Sequence, residues 1–113
     1  MPLYAFVAPI QPNKTEQFRQ FVSELSGSRK AEYEASKKSS GVSRETIFLQ
    51  HTPMGQVAIV VQEAKDQAEA LASLRSMKDP FHMWYFQRIK DVWDISFVGP
   101  DVPINELLLD YRA

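Results

Sequence analysis

The sequence predicts an α+β domain in the split βαβ order, with a four-stranded antiparallel sheet and helices on one of its faces. Three observations carry this expectation. Apolar residues alternate, or run together briefly, at 3–10, 42–52, 56–63 and 95–98, as strands require. Helical spacing of apolar residues fills the interval after the first of these runs and the interval before the last. Between the middle two, the four residues Thr52-Pro53-Met54-Gly55 leave room only for a hairpin, so that pair is antiparallel.

In order, residues 3–10 carry apolar and aromatic side chains on both alternating faces, Leu3, Ala5 and Val7 against Tyr4, Phe6 and Ala8. They stop at Pro9 and Pro12, which reads as a central strand covered on both sides. Asn13 or Thr15 can cap a helix whose first half is amphipathic through Phe18, Phe21, Val22 and Leu25, and which is expected to continue past Gly27 to about residue 38. Ser39-Ser40-Gly41 ends it, with Gly41 in a left-handed cap. In the next strand Ile47, Leu49 and His51 alternate against Thr46, Phe48 and Gln50, and Val57-Ala58-Ile59-Val60-Val61 then makes a second central strand. Asp66 caps a helix over 67–77. A second helix follows, with Asp79 as N-cap and Pro80 in the first turn, where a missing N–H costs nothing. Its residues Phe81, Trp84, Tyr85, Arg88 and Val92 share one face, and His82, Phe86, Ile89 and Trp93 another, so it needs cover on two sides. A strand at 95–98 and a tail at 101–113 with Leu107-Leu108-Leu109 complete a single domain spanning 1–113, in the ferredoxin-like order. Helices on one side leave the other sheet face wet in a monomer, which marks it as an interface.

Composition narrows the function classes. With 44% hydrophobic and 12% aromatic residues in 113, the chain can build one core. A net charge of −1 gives no electrostatic pull toward nucleic acid or an anionic membrane, and no apolar run reaches the ~18 residues of a membrane span. There is no cysteine, so thiolate chemistry and cysteine metal sites are excluded. The start of the sequence lacks a basic signal-peptide region, and the expected location is cytoplasmic. Neither a glycine-rich phosphate loop nor a paired metal-ligand motif is present, so no metal and no cofactor is expected.

The element order, together with Glu32-Tyr33, Thr52-Pro53-Met54-Gly55 and Asp79-Pro80-Phe81-His82-Met83-Trp84-Tyr85-Phe86, resembles the dimeric α+β barrel superfamily. Within it, the chain is similar to small uncharacterised members that share a Pro-Met-Gly hairpin and an Asp-Pro-Phe-x-x-Trp helix. The resemblance implies a homodimer whose two sheets pack face to face into a barrel. It also brings in cofactor-free monooxygenases, isomerases and haem-degrading enzymes, and fold does not select among them. Haem-degrading members carry a histidine where His82 stands and an asparagine on the first strand, whereas this chain has Leu3-Tyr4-Ala5-Phe6-Val7 there.

The most suggestive constellation is Arg29, Glu32, Tyr33 and Ser36, where the inward line of the first helix turns polar. The plainer reading is a solvated overhang of the helix beyond the sheet. In a cavity, Arg29 would fix a carboxylate or enolate oxygen, and Glu32 or Tyr33 would move a proton. His51 and His82 titrate near neutrality, but without an acidic partner at ligand spacing they read as structural or surface residues. Trp84 and Trp93 serve either as core or as a wall for a flat ligand. Lys30, Lys37 and Lys38 read as a solvated face. The ligand-binding candidates are therefore Arg29, Glu32, Tyr33, His51, Trp84 and Trp93. The expected protein is a homodimer holding a small apolar or aromatic carboxylate-like molecule between sheet and helices. The alternative is a cofactor-independent monooxygenase or isomerase acting on a small activated substrate, and whether there is chemistry at all stays open.

Overall fold

The computed structural model describes residues 2–94 and 105–113. Seven elements follow one another: β1 (Leu3–Pro9), α1 (Thr15–Ser26), α2 (Lys30–Ser40), β2 (Val42–Thr52), β3 (Gly55–Ala64), α3 (Gln67–Ser76) and α4 (Pro80–Val92). The three strands form an antiparallel sheet in the order β1-β3-β2. The strand expected at 95–98 lies outside the described residues, so the described sheet has three strands and four helices beside it. At the free edge of β1, Ile10 bridges Trp93 in antiparallel sense, and the Asp94 amide donates to the Pro9 carbonyl at 2.8 Å. Gln11 holds this junction: its side-chain amide donates to the carbonyls of Lys90 and Trp93 at 3.0 and 2.9 Å, closing the end of α4.

Register decides which side chains face which way. Phe6 opposes Val60, which opposes Ile47, and Ala8 opposes Ala58, which opposes Leu49, and this face meets the helices. Ala8 and Ala58 are fully buried, and their small side chains leave the space that Phe18, Phe21, Phe81 and Trp93 fill. The opposite face carries Leu3, Ala5 and Val7 of β1, Val57, Ile59 and Val61 of β3, and Phe48 of β2. Val7 is 39% and Phe48 54% exposed, so this apolar face is uncovered in the single chain.

The expected long first helix is two helices. It breaks at Gly27, whose amide and that of Arg29 both turn back to the Glu24 carbonyl. A Cβ at Gly27 would approach the Ser23 carbonyl oxygen to 2.9 Å, so the turn requires glycine. The break re-aims α2, so that a helix which would have run past the sheet packs instead on β2 and α3. The expected cap of the first helix is not formed: its N-cap is Lys14, with no side-chain cap bond, and the Thr15 hydroxyl donates instead to Gln56. Gly41 is left-handed at the end of α2 (φ 79°), and Asp66 accepts the Glu69 amide at 3.1 Å as the cap of α3. Asp79 precedes Pro80 in extended conformation, but its carboxylate makes no cap bond and is used elsewhere.

Candidate functional site

α2 has no leucine, isoleucine, valine or phenylalanine, yet its Ser36, Lys37 and Ser40 are buried. Two polar groups radiate from it. Tyr33 and Lys37, one turn apart on the same face, reach down to Glu45 on β2. The Tyr33 hydroxyl donates to Glu45 Oε1 at 2.5 Å, and the Lys37 ammonium donates to Oε2 at 3.1 Å. Gln62, the cross-strand partner of Glu45 on the helix-facing side of the sheet, donates its amide to Oε2 at 2.5 Å. The Lys37 and Glu45 side chains are 10% and 5% exposed, so this is an ion pair largely removed from water, with the carboxylate satisfied by three donors. The aromatic rings of Tyr33 and Tyr85 flank the ammonium at 5.5 and 5.9 Å.

This enclosure sets the protonation states. Burial, then the Glu45 carboxylate it bonds, push the Tyr33 hydroxyl well above the ordinary tyrosine range. Burial likewise raises Tyr85 against the opposing pull of Lys37. Burial lowers Lys37, but Tyr85 and Glu45 beside it more than reverse this, and the ammonium is held above its ordinary value. At neutral pH the group is therefore a carboxylate faced by an ammonium and two protonated phenols. It can offer protons and positive charge, but no basic phenolate.

The second group runs the other way, from α2 to α4. Ser36 Oγ lies 2.7 Å from His82 Nε2, and His82 Nδ1 lies 2.6 Å from Asp79 Oδ1. The carboxylate selects the tautomer with hydrogen on Nδ1, which leaves Nε2 to accept from the serine hydroxyl. Desolvation raises the Asp79 carboxyl, but its interactions with His82 and with the backbone together outweigh this and draw the group below its ordinary value. The order serine, histidine, aspartate is that of an activated nucleophile, but Ser36 lies inside α2, where backbone amides are spent on the helix ladder. The chain of bonds ties α2 to α4.

The sequence candidates fall into separate places. Arg29, Glu32 and Trp84 come together: the guanidinium stacks 4.1 Å from the Trp84 ring, 5.9 Å from Phe81, and bonds Glu32 at 3.3 Å. Tyr33 turns away from them toward the sheet. Trp93 is buried in the core, edge-on to Phe6 at 6.1 Å. His51 is exposed near the hairpin and joins neither group. The polar line is solvated only at its start, where Glu32 is exposed and Arg29 half-buried; Ser36 is buried, and Lys37, also buried, does not belong to a solvated lysine face. Glu45 and Gln62 escaped sequence reasoning. The signal for Glu45 was present, since the alternation of Leu49 and Ile47 continues back to it and places a carboxylate on the inward side.

Two open grooves flank α2. One, about 390 Å³, lies between α2 and the edge strand β2, with Tyr33, Lys37, Lys38, Arg44 and Glu45 in its lining. The other, about 400 Å³, lies over Ser36, Asp79 and His82. Residues 1–98 match the family of unknown function DUF6176. The chain belongs to that family. The DUF6176 match spans every residue of both polar groups and both grooves and stops short of the 105–113 segment. No curated protein matches the chain. Among the described residues, no cluster of three histidine or acidic side chains is placed to hold a metal ion, and no helix is long and apolar enough to cross a membrane.

Proposed function

We propose that this DUF6176 protein is a ferredoxin-like homodimer of the α+β barrel kind, and that it binds a small carboxylate-bearing, partly aromatic molecule in the α2–β2 groove. The observation that carries the binding reading is the dry Tyr33–Glu45–Lys37 group at the floor of an open groove. A satisfied carboxylate inside a sheet–helix seam makes a rigid polar floor. The groove brings three basic side chains, Lys37, Lys38 and Arg44, against Glu34 and Glu45, so its balance favours an anion. Arg44, next to the register shift at Val42, borders both this groove and the outer sheet face beside Thr46 and Phe48. The stacked Arg29, Trp84 and Glu32 brace the opposite flank of α2 rather than touch this ligand.

The dimer rests on the uncovered apolar sheet face, whose closure against a second copy would make the barrel. The end of α4 bridging the free edge of β1 supports a fourth strand beside β1, as the ferredoxin-like order requires. Calorimetric titration with benzoate and related small aromatic carboxylates tests the binding. Binding that weakens at least tenfold in Arg44→Ala and Lys38→Ala is expected, and binding indifferent to both substitutions would refute the placement.

A further inference from the structure

We propose that Ser36 is a nucleophile, activated by His82 and Asp79, that takes up the acyl group of a small uncharged ester bound in the groove above it. The inference goes beyond the anion site and the dimer and depends on neither. The bonds are those that base activation needs: Ser36 Oγ lies 2.7 Å from His82 Nε2, and His82 Nδ1 lies 2.6 Å from Asp79 Oδ1. Asp79 caps the start of α4 and His82 follows three positions on, so one helical turn fixes the carboxylate against the ring and keeps Nε2 as the acceptor. Ser36 and His82 are only 5 and 6% exposed, yet both line the open groove of about 400 Å³. The pair is nearly dry and is reachable from one side.

The lining sets the substrate class. Glu32 and Asp79 stand in it without a lysine or arginine, so an anion is disfavoured, the reverse of the α2–β2 groove. Ala35, Met77 and Phe81 give an apolar and aromatic wall for the acyl or the leaving group. Ser36 Oγ attacks the ester carbonyl carbon as its proton passes to His82 Nε2. The bond from that carbon to the leaving oxygen then breaks, and the imidazolium returns the proton to the departing oxygen. Asp79 stays ionised throughout and stabilises the imidazolium. Because the amides around Ser36 are spent within α2, the oxyanion is met by a side chain, and Ser39, one turn on and the other hydroxyl in the lining, is the donor. A single hydroxyl makes acylation slow, so the site is read in one turnover rather than by steady hydrolysis.

The test uses the full chain and p-nitrophenyl acetate, with release of p-nitrophenol followed by absorbance and the acetyl group located by peptide mass spectrometry. The expected result is a burst of about one p-nitrophenol per chain, with the acetyl group on Ser36. Ser36→Ala should abolish the burst and His82→Gln should slow it ~100-fold, with circular dichroism unchanged in both. Acetyl groups found on lysines or the amino terminus alone, with Ser36 unmodified, overturn the nucleophile. That measurement needs no variant, so it decides the matter even if a substitution unfolds the chain. A burst that persists at the wild-type rate in folded Ser36→Ala overturns it as well. Acetylation of Ser36 at an undiminished rate in His82→Gln overturns its activation by the imidazole.

Discussion

Removing the Glu45 carboxylate should be among the most damaging single changes in this protein. In Glu45→Ala the Lys37 ammonium, in a side chain only 10% exposed, loses its counter-ion, while the Tyr33 hydroxyl and the Gln62 amide lose their acceptor. Breaking one side of a buried ion pair costs ~3–5 kcal/mol, because the surviving charge stays desolvated. Some water will enter the space left by the carboxylate, so the expected loss is about 4 kcal/mol, a large part of the ~5–15 kcal/mol that holds a domain folded. Lys37→Met leaves Glu45 two neutral donors and should cost about 2 kcal/mol. The double variant Lys37→Met/Glu45→Ala removes both charges and leaves only two unpaired neutral donors, for about 3 kcal/mol. The two sites should therefore show a coupling of roughly 3 kcal/mol, the upper end of what residues in direct contact show. Urea denaturation of the four proteins at constant m-value measures it. A loss below ~1 kcal/mol for Glu45→Ala, with a coupling under ~0.5 kcal/mol, would mean that the pair is solvated and that α2 is held by something else.

Other consequences follow from the same packing. Tyr33, Tyr85 and Lys37 are all raised in the folded chain above their ordinary values, so the stability they contribute is complete below about pH 10 and is lost as pH rises beyond it. Tyrosinate absorbance should show a late component that appears together with unfolding and shrinks in Tyr33→Phe and Tyr85→Phe; early, independent ionisation of both would contradict the enclosure. Phe81, 3% exposed, should cost ~3–5 kcal/mol as alanine, and the half-buried Trp84, covered on one side by Arg29, about 2 kcal/mol. Equal losses by denaturation would refute that ranking. Phe48→Glu, on the uncovered sheet face, should leave circular dichroism unchanged and yield a monomer by light scattering; an intact dimer would move the interface elsewhere.

Much of the fold was legible in the sequence, for local reasons. The period-two runs, the Thr52-Pro53-Met54-Gly55 turn, Asp66 before α3 and Gly41 after α2 each act through backbone geometry or a bond within a few residues. The break at Gly27 was less legible, because a glycine in a helical pattern also fits a continuous helix, and only the close approach to Ser23 decides it. The site divides in the same way. The polar inward line of α2 could be read from spacing, but its partners could not. Tyr33 meets Glu45 across 12 positions and Ser36 meets His82 across 46, and charge pattern along a chain does not report such pairs. Lys37 was misread for that reason: a lysine beside another lysine on a polar helix looks solvated until a buried carboxylate is placed opposite it.

The central claim, that the α2–β2 groove is the ligand site, is tested most directly by nuclear magnetic resonance of the isotope-labelled protein titrated with benzoate. The account predicts saturable amide shifts centred on Tyr33, Lys37, Lys38, Arg44 and Glu45, around the groove floor. Shifts confined to the outer sheet face near Leu3, Phe48 and Val61, or to the groove over Ser36 and His82, would contradict it.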